Sequence, residues 1–399
     1  MLRTSAIFAT LGTLLAAAPA ALAATDPQAI HRRVLELDSH VDVLLPDASG
    51  RTPPSQADLD QLTRGGIDAV VLAVAVGPGP RDPAGVAAAR IEADRKLALI
   101  KRFAADNPQH VGLALSADDV ERLHREGKIA VLIGFQNARS IGQDLAQIDV
   151  LYREGVRIFA FNHAGHNAFS DSSRPGKEPA SLNGGLSPLG RAAVARLNDL
   201  GVLIDVSQLS DEALAQTLQL TRAPVVATHS AARALIDNTR NLSDAQLDAI
   251  RANGGVVQVP PFAAYIHRQD AVSLARIASI RARYGLPPAA KSPSDGADTL
   301  PADKHDAFVA EVRQAQSRGT LSEYVDHIDH IARRIGWDHV GIGTDFNHGS
   351  GIIGFDSEAD APNVTAELVR RGYGEAQIAA IWGGNFLRVL RAAQAAPAK

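Results

Sequence analysis

A histidine and an aspartate stand two residues apart in the stretch Asp38-Ser39-His40-Val41-Asp42. The residues before this pair are mainly apolar, which is typical of a short β-strand that ends here. Side chains of a strand alternate between its two faces, so His40 and Asp42 point to the same side. Imidazole and carboxylate groups are common metal ligands. Because a His-x-Asp pair also arises by chance at surface strand ends, the prediction depends on the other strand ends.

Polar residues of the same kind follow other apolar runs of the chain. Gln136, His163, Gln208, His229 and Asp345 each stand at or just after the end of such a run. The carboxyl ends of parallel strands in a barrel meet at one face, where active sites lie. We therefore expect these residues to meet at one mouth.

Two imidazoles and two carboxylates are expected to converge at that mouth, from His40, Asp42, His229 and Asp345. Their nitrogen and oxygen atoms suit Zn²⁺. His348, close after Asp345, is a further candidate. His327 and His330 lie three residues apart on a predicted helix of the outer ring. We interpret those two as a solvated or partner-facing pair.

Eight short apolar runs alternate with helical patterns along the chain. This alternation predicts an α/β fold with a parallel sheet, and eight units predict a closed (β/α)8 TIM barrel. An open doubly wound sheet is the alternative, but no Gly-x-Gly-x-x-Gly turn follows the first run. Residues 260–320 are polar with two predicted helices, which we interpret as a helical insertion between strands seven and eight. The runs are 34–38, 67–76, 129–135, 156–161, 202–206, 224–228, 255–259 and 340–343.

The N-terminal residues are typical of a secretory signal peptide. Arg3 precedes an apolar run over 6–18, and Ala21-Leu22-Ala23 supplies a small-x-small cleavage site. The alternatives are a buried first helix or a membrane anchor, but the run is short for a membrane span. We predict a signal peptide over 1–23, a single barrel domain over 24–399, and export to the periplasm or secretion.

The composition of the chain limits the classes of molecule that it is expected to bind. The chain has 399 residues, no cysteine and a formal net charge of -4, with acidic and basic residues interspersed. No basic run suggests nucleic acid as a partner. An exported chain without cysteine folds without disulfides. The expected partner is a small-molecule substrate, and no membrane span is expected. The sequence is also compatible with a homodimer.

Several motifs together resemble the membrane dipeptidase (renal dipeptidase) family of zinc metallopeptidases, within the amidohydrolase-like barrels. The resemblance covers nearly the whole chain after the predicted signal peptide. The motifs that carry it include Asp38-Ser39-His40-Val41-Asp42, Phe161-Asn162-His163, Ala227-Thr228-His229-Ser230, Thr239-Arg240-Asn241-Leu242, Gly341-Ile342-Gly343-Thr344-Asp345-Phe346 and Trp382-Gly383-Gly384-Asn385-Phe386.

The resemblance implies a role for each matching residue. His40 and Asp42 match the ligands of a first zinc ion, and His229 matches a ligand of a second. Asp345 matches the acid/base carboxylate near the metals, and His163 the residue that polarises the scissile carbonyl. Arg240 matches the arginine that holds the substrate's terminal carboxylate. A planar guanidinium can donate two parallel hydrogen bonds to such a group.

Two positions depart from the family pattern. Gln136 stands where the family has a bridging glutamate, and Gln208 where it has a histidine. A carboxylate can bridge two cations, whereas a neutral amide offers one acceptor oxygen. We expect one or two Zn²⁺ ions, with the second site weakened.

The leading hypothesis is therefore a metal-dependent dipeptidase that acts on dipeptides or similar small amides with a free carboxylate. One alternative is a degenerate barrel that binds peptides or amino-acid derivatives without hydrolysis, which Gln136 and Gln208 motivate. Another is a mononuclear amidohydrolase that acts on a different amide or lactam, since catalytic zinc works with three protein ligands and a water.

Overall fold

The computed structural model describes residues 26–396 apart from residues 48, 291 and 292. The predicted signal peptide, with its cleavage site after Ala23, lies outside the described residues. Within the described part of the chain, none of the helices is long and apolar enough to cross a lipid bilayer.

Parallel strands form one sheet that curves into a nearly closed barrel, as predicted. The order of strands around the sheet is β1-β2-β4-β5-β6-β7-β8-β9, and β3 pairs with β4 outside this path. The strands are β1 (Leu37–Asp42), β2 (Ala69–Ala75), β3 (Val111–Leu113), β4 (Ile129–Gln136), β5 (Val156–Ala160), β6 (Leu203–Asp205), β7 (Val226–Ala227), β8 (Val256–Val259) and β9 (Val340–Ile342).

Helices cover the outside of the barrel. Side-chain caps start many of them: Ser243 and Gln246 form a capping box at α8, and Thr320 and Glu323 form another at α12. The α-helices are α1 (Pro27–His31), α2 (Leu59–Gly65), α3 (Pro83–Asp106), α4 (Ala117–Arg125), α5 (Gln147–Arg153), α6 (Pro188–Asp199), α7 (Asp211–Leu220), α8 (Asp244–Ala252), α9 (Ala263–Ile266), α10 (Ala271–Arg283), α11 (Ala302–Ala315), α12 (Leu321–Ile335), α13 (Ala361–Arg370), α14 (Glu375–Ala379) and α15 (Asn385–Gln394).

The strands are apolar because both of their faces are covered. Every residue of β2 and β4 is buried, on the barrel interior or beneath the helices. The first and last strands meet through their carboxyl ends. The backbone N–H of Asp42 donates to the carbonyl of Phe346 at 3.0 Å, and that of Asp345 donates to the carbonyl of His40 at 2.8 Å. These bonds bring residues from opposite ends of the chain to one mouth.

Gly343 lets three strand ends approach closely. A Cβ atom at this position would lie 2.1 Å from the carbonyl oxygen of Thr228 and 2.4 Å from Oγ of Ser39. Only glycine has room there. The contact joins the ends of β1, β7 and β9, which precede or carry His40, His229 and Asp345.

The helical segment between β8 and β9 forms a wall above the mouth. Helices α10 and α11 share a small apolar core that includes Ile277, Ile280, Phe308 and Val312. This segment lines one side of a cavity of about 890 Å³, whose other side includes His163 and other barrel loops. The insertion therefore shapes the entrance to the barrel mouth.

Two strand predictions need correction. The first strand spans Leu37–Asp42 rather than residues 34–38, and it ends in His40 and Asp42 as the His-x-Asp pattern predicted. Pairing of Asp42 with Phe346, more than 300 residues away, extends the strand to this point. The short strand β3 was not predicted, because three residues carry no readable alternation.

The interpretation of His327 and His330 as a solvated or partner-facing pair is wrong. His327 is buried, and its Nδ1 accepts a hydrogen bond from the backbone N–H of Ala232 at 3.0 Å. Burial lowers its pKa to about 4. His330 lies 2.8 Å from a carboxylate oxygen of Asp244 on the neighbouring helix α8. Both histidines therefore fasten α12 to the barrel.

Candidate active site

One cluster at the mouth contains an imidazole and two carboxylates. Nε2 of His40 lies 3.3 Å from Oδ1 of Asp42 and 3.9 Å from Oδ1 of Asp345. All three side chains are buried. His348 joins the cluster, with its Nδ1 2.9 Å from Oδ2 of Asp42. Among the described residues, Nε2 of His40 and Oδ1 of Asp42 have no hydrogen-bond partner.

A second cluster surrounds His229, directly beside the first. The rings of His40 and His229 are 4.1 Å apart between centroids. Nε2 of His229 lies 3.2 Å from the amide nitrogen of Gln136 and 3.3 Å from that of Gln208. The amide oxygen of Gln208 accepts a hydrogen bond from Nη2 of Arg174 at 3.0 Å. The two glutamines thus stand on the side of His229 that faces the mouth.

Thr228 supports both histidines from behind. Its hydroxyl oxygen lies 2.8 Å from Nδ1 of His229 and 3.4 Å from Nδ1 of His40. The hydroxyl donates to Oδ2 of Asp205 at 2.5 Å. Nδ1 of His229 therefore carries the proton and donates to Thr228, which leaves the lone pair on Nε2.

The guanidinium of Arg240 lies beside His229, and the imidazole of His163 lies beside His348. Nη2 of Arg240 donates to the carbonyl of His229 at 3.1 Å, and its guanidinium carbon stands 5.1 Å from the ring centre of Tyr265. Nε and Nη1 of Arg240 are buried and have no partner among the described residues. His163 packs edge-on against His348, with 4.9 Å between ring centroids. This side of the mouth offers free donors to an anionic group.

Strained backbone carries two of the site residues. Gln208 has φ 68° and Asp345 has φ 54°, in the left-handed region that favours glycine. Such conformations persist where the surrounding structure enforces them, and they concentrate at functional sites. The strain here directs each side chain into the mouth just after its strand ends.

Burial and neighbouring charges separate the pKa values of the site groups. Burial lowers the pKa of His40, but Asp42 and Asp345 outweigh it and raise that pKa to about 9. Burial raises the pKa of Asp345 above its usual range. Burial, with the charges of His348 and Arg174, holds the pKa of His163 well below its usual range. The pKa values of Asp345 and His163 are thus shifted in opposite directions, each disfavouring the charged form of its side chain.

The His40 cluster fits a divalent metal ion. One ligand atom each from His40, Asp42 and Asp345 lies within 4.8 Å of the others, a number and kind of protein ligand that catalytic zinc sites use. Buried polar atoms rarely stay without partners. Nε2 of His40 and Oδ1 of Asp42 lie 3.3 Å apart without forming a hydrogen bond, so one shared cation would satisfy both atoms. A second group, formed by His40, Asp205 and His229, fits less well because Oδ2 of Asp205 already accepts from Thr228.

The structure brings the predicted site residues together at one mouth. This holds for His40, Asp42, Gln136, His163, Gln208, His229, Arg240 and Asp345, and His348 joins them. His166, which follows His163 in the same loop, is used locally: its Nε2 donates to the carbonyl of Pro179 and its Nδ1 accepts from the backbone N–H of Ser172. Sequence reasoning missed Arg174 and Thr228. The position of Thr228 directly before His229 was a readable sign, whereas Arg174 lies inside a long loop.

Comparison with known proteins agrees with this geometry. The family model for membrane dipeptidase (peptidase family M19) matches residues 25–399. The dipeptidase tcpJ of Claviceps purpurea is 28% identical over 339 residues, covering 84% of this chain and 68% of the relative. A dipeptidase 3 of Rattus norvegicus is 29% identical, and the chain spans 58% of its length.

Solved structures show the same fold. The probable dipeptidase PvdM from Pseudomonas aeruginosa is 39% identical, with a TM-score of 0.85 over 93% of this chain and 98% of that one. A metallopeptidase from Rhodobacter sphaeroides, liganded with a phosphinate mimic of the dipeptide L-Ala-D-Ala, has a TM-score of 0.69 at 21% identity, over 90% of this chain and 99% of that one. The barrel, the histidines and carboxylates at its mouth, and these matches together show that the chain belongs to the membrane dipeptidase family, peptidase family M19.

Proposed function

We propose that the chain is a metal-dependent hydrolase of dipeptides or similar small amides that carry a free carboxylate. The observation that carries this proposal is the pair of unpartnered atoms, Nε2 of His40 and Oδ1 of Asp42, facing Asp345 at the barrel mouth. Family membership supports the reaction class. The phosphinate dipeptide mimic belongs to a relative, and it supports the substrate class here.

His40 and Asp42 would hold the metal, and one carboxylate oxygen of Asp345 lies close enough to join them as a ligand. We propose zinc, because an imidazole nitrogen and carboxylate oxygens in a site of this size suit it. When bound, such an ion supplies Lewis acidity, which polarises a carbonyl group and acidifies a water molecule.

Asp345 and His163 have the properties that proton transfer and charge stabilisation need. Asp345 lies at the mouth beside His40, where a carboxylate oxygen can take up a proton and pass it to a leaving amine. His163 is neutral at pH 7 because its pKa is lowered, so its ring can donate one hydrogen bond to a developing oxyanion.

Arg240 supplies the specificity for a free carboxylate. Its Nη2 is fixed by the carbonyl of His229, while Nε and Nη1 stay available. One of these donors, together with the second N–H of Nη2, can hold a carboxylate in fork geometry. We therefore place the terminal carboxylate of the substrate at Arg240 and the scissile amide between His163 and Asp345. We also propose that the protein is exported, on the basis of residues 1–23.

The test compares hydrolysis of a dipeptide with hydrolysis of the same dipeptide amidated at its C-terminus. Wild-type protein should cleave the free acid in preference to the amide. Asp345→Asn should lower kcat by about 10²–10⁴-fold, the usual range for a general acid or base. Arg240→Met should raise KM for the free acid and remove the preference over the amide.

Other results would contradict parts of this proposal. Equal cleavage of the two substrates by wild type and Arg240→Met would disprove the carboxylate role of Arg240. Binding of a dipeptide without turnover, in protein loaded with zinc, would favour the alternative of a barrel that binds without hydrolysis. Gln136 and Gln208 are the residues that motivate that alternative.

A further inference from the structure

We propose that this chain binds a single metal ion, at the His40–Asp42–Asp345 cluster, and that the guanidinium of Arg174, held through Gln208, takes the place of a second. This inference rests on the proposed function and specifies the metal content of the same site. It follows from the hydrogen-bond donors and acceptors around His229.

The starting point is the orientation of His229. The hydroxyl of Thr228 gives its proton to the carboxylate of Asp205 at 2.5 Å, so toward Nδ1 of His229, at 2.8 Å, it can only accept. Nδ1 therefore bears the hydrogen, and Nε2 has one lone pair.

Arg174 decides which way the amide of Gln208 faces. A guanidinium has only donors, so the atom of Gln208 that faces it at 3.0 Å is the amide oxygen. The amide NH₂ group must then face Nε2 of His229, where its nitrogen lies at 3.3 Å. An amide NH₂ has no lone pair to offer a cation. While Arg174 holds it, Gln208 is a hydrogen-bond donor to His229 rather than a metal ligand.

Gln136 is a second hydrogen-bond donor to His229. Its amide nitrogen lies 3.2 Å from the same Nε2 of His229, so two donors share one lone pair. His229 is thus satisfied by the protein itself. By contrast, Nε2 of His40 and Oδ1 of Asp42 have no partner among the described residues. The donor set favours a cation on the His40 side and opposes one on the His229 side.

Arg174 also replaces the charge that a second ion would bring. A guanidinium stays protonated at all physiological pH values. Its field reaches the neighbouring groups, because Arg174 contributes to the lowered pKa values of both His163 and Arg240. The role is that of a positioning residue, which fixes Gln208 and keeps positive charge beside the bound substrate.

The direct experiment measures metal in the wild-type protein. Protein stripped with a chelator, reloaded with Zn²⁺ and freed of excess ion is analysed for zinc per chain. The expected value is one. Anomalous diffraction at the zinc edge of the same material should show a single peak within bonding distance of Nε2 of His40, and none beside Nε2 of His229.

Variants test the role of Arg174 and the two glutamines. The double variant Gln136→Glu, Gln208→His should bind two zinc ions per chain, because it provides a bridging carboxylate and an imidazole. Arg174→Met should bind a second zinc about tenfold more tightly than wild type, because the amide of Gln208 is then free to turn its oxygen inward. Arg313→Met is the matched control, since Arg313 lines the same cavity but donates to the carbonyl of Ser350.

The outcomes separate this inference from the proposed function. Two zinc ions in wild type would overturn the single-metal inference and leave metal-dependent hydrolysis standing. No zinc in wild type after reloading would overturn both. Equal affinity for a second zinc in Arg174→Met, Arg313→Met and wild type would overturn the role of Arg174.

Discussion

Thr228 links the two histidines of the mouth through one hydroxyl group. Its oxygen lies 2.8 Å from Nδ1 of His229 and 3.4 Å from Nδ1 of His40, and its proton goes to Asp205. A residue behind a metal ligand fixes the tautomer and the ring orientation of that ligand. Thr228 therefore determines which nitrogen of each ring faces the mouth.

Replacing this hydroxyl should weaken metal binding without changing the shape of the side chain. In Thr228→Val, the rings of His40 and His229 lose their shared partner, and zinc affinity should fall by about 10–100-fold. Competition with a coloured chelator measures the affinity. Thr217→Val is the control, because Thr217 is equally buried but bonds the carbonyl of Ala213 in α7. Equal zinc affinity in the two variants would contradict the role of Thr228.

His327 should make the protein less stable in acid. Burial lowers its pKa from 6.5 to about 4 in the folded state. Between these values the unfolded chain binds a proton that the folded chain does not, so stability is lost as pH falls from 6.5 toward 4. The full shift corresponds to about 3 kcal/mol. The free energy of unfolding, measured with denaturant at several pH values, should show this loss.

His327→Asn removes the titration and keeps an acceptor for the N–H of Ala232. Its free energy of unfolding should therefore fall less steeply between pH 6.5 and 4 than that of wild type. A slope in His327→Asn as steep as that of wild type would show that this histidine does not carry the effect.

At the scale of elements, the loop between β5 and α6 positions both His163 and Arg174. The carboxylate of Asp171 organises this loop: it accepts from Oγ of Ser181 at 2.7 Å and from the backbone N–H groups of Leu182 and Gly185 at 3.1 Å and 3.0 Å. It also accepts from the backbone N–H and from the side-chain amide of Asn183, both at 3.0 Å. One buried carboxylate thus holds together a loop that has little regular structure.

Asp171→Ala should loosen this loop while the barrel stays folded. Backbone amides of residues 163–186 should exchange hydrogen faster, and KM for a dipeptide should rise because His163 and Arg174 are less well placed. The zinc ion at the His40–Asp42–Asp345 cluster should stay bound, since His40 and Asp42 lie on β1. Asp199→Ala removes a surface carboxylate paired with Arg222 and serves as the control. Unchanged exchange in the loop would refute this role of Asp171.

The sequence was most informative where regular elements determine position. Apolar runs of four or more residues mark the barrel strands, and the geometry of a parallel barrel then brings residues such as His40, His229 and Asp345 to one mouth. The route of the loop after β5 was not predictable, because it depends on hydrogen bonds between residues that have no periodic spacing. Arg174 was missed for that reason.

The remaining errors of prediction come from contacts between residues that are far apart in the sequence. The end of β1 is extended by Phe346, which lies near the other end of the chain, and local sequence cannot show such a partner. The helix that carries His327 was predicted for the outer ring, but the histidine itself is buried. A histidine can lie in a core when it is neutral and hydrogen-bonded, and its burial depends on which helices pack beside it.

At the scale of the whole molecule, the apolar core and the candidate site residues occupy different parts of the barrel. The buried strands and helices form a broad apolar core, while the carboxyl ends of the strands carry His40, Asp42, His229 and Asp345. The insertion adds a wall to the mouth without joining the barrel core, since α10 and α11 pack around their own apolar side chains. Loops and the insertion can therefore set substrate size while the strands fix the reacting groups.

The most direct test of the account follows dipeptide hydrolysis while zinc is returned to the metal-free wild-type protein. We predict no hydrolysis without metal, a rise in rate with each addition of zinc, and saturation at one zinc per chain. Hydrolysis that persists in metal-free protein, or protein with one bound zinc that cleaves no dipeptide, would contradict the account.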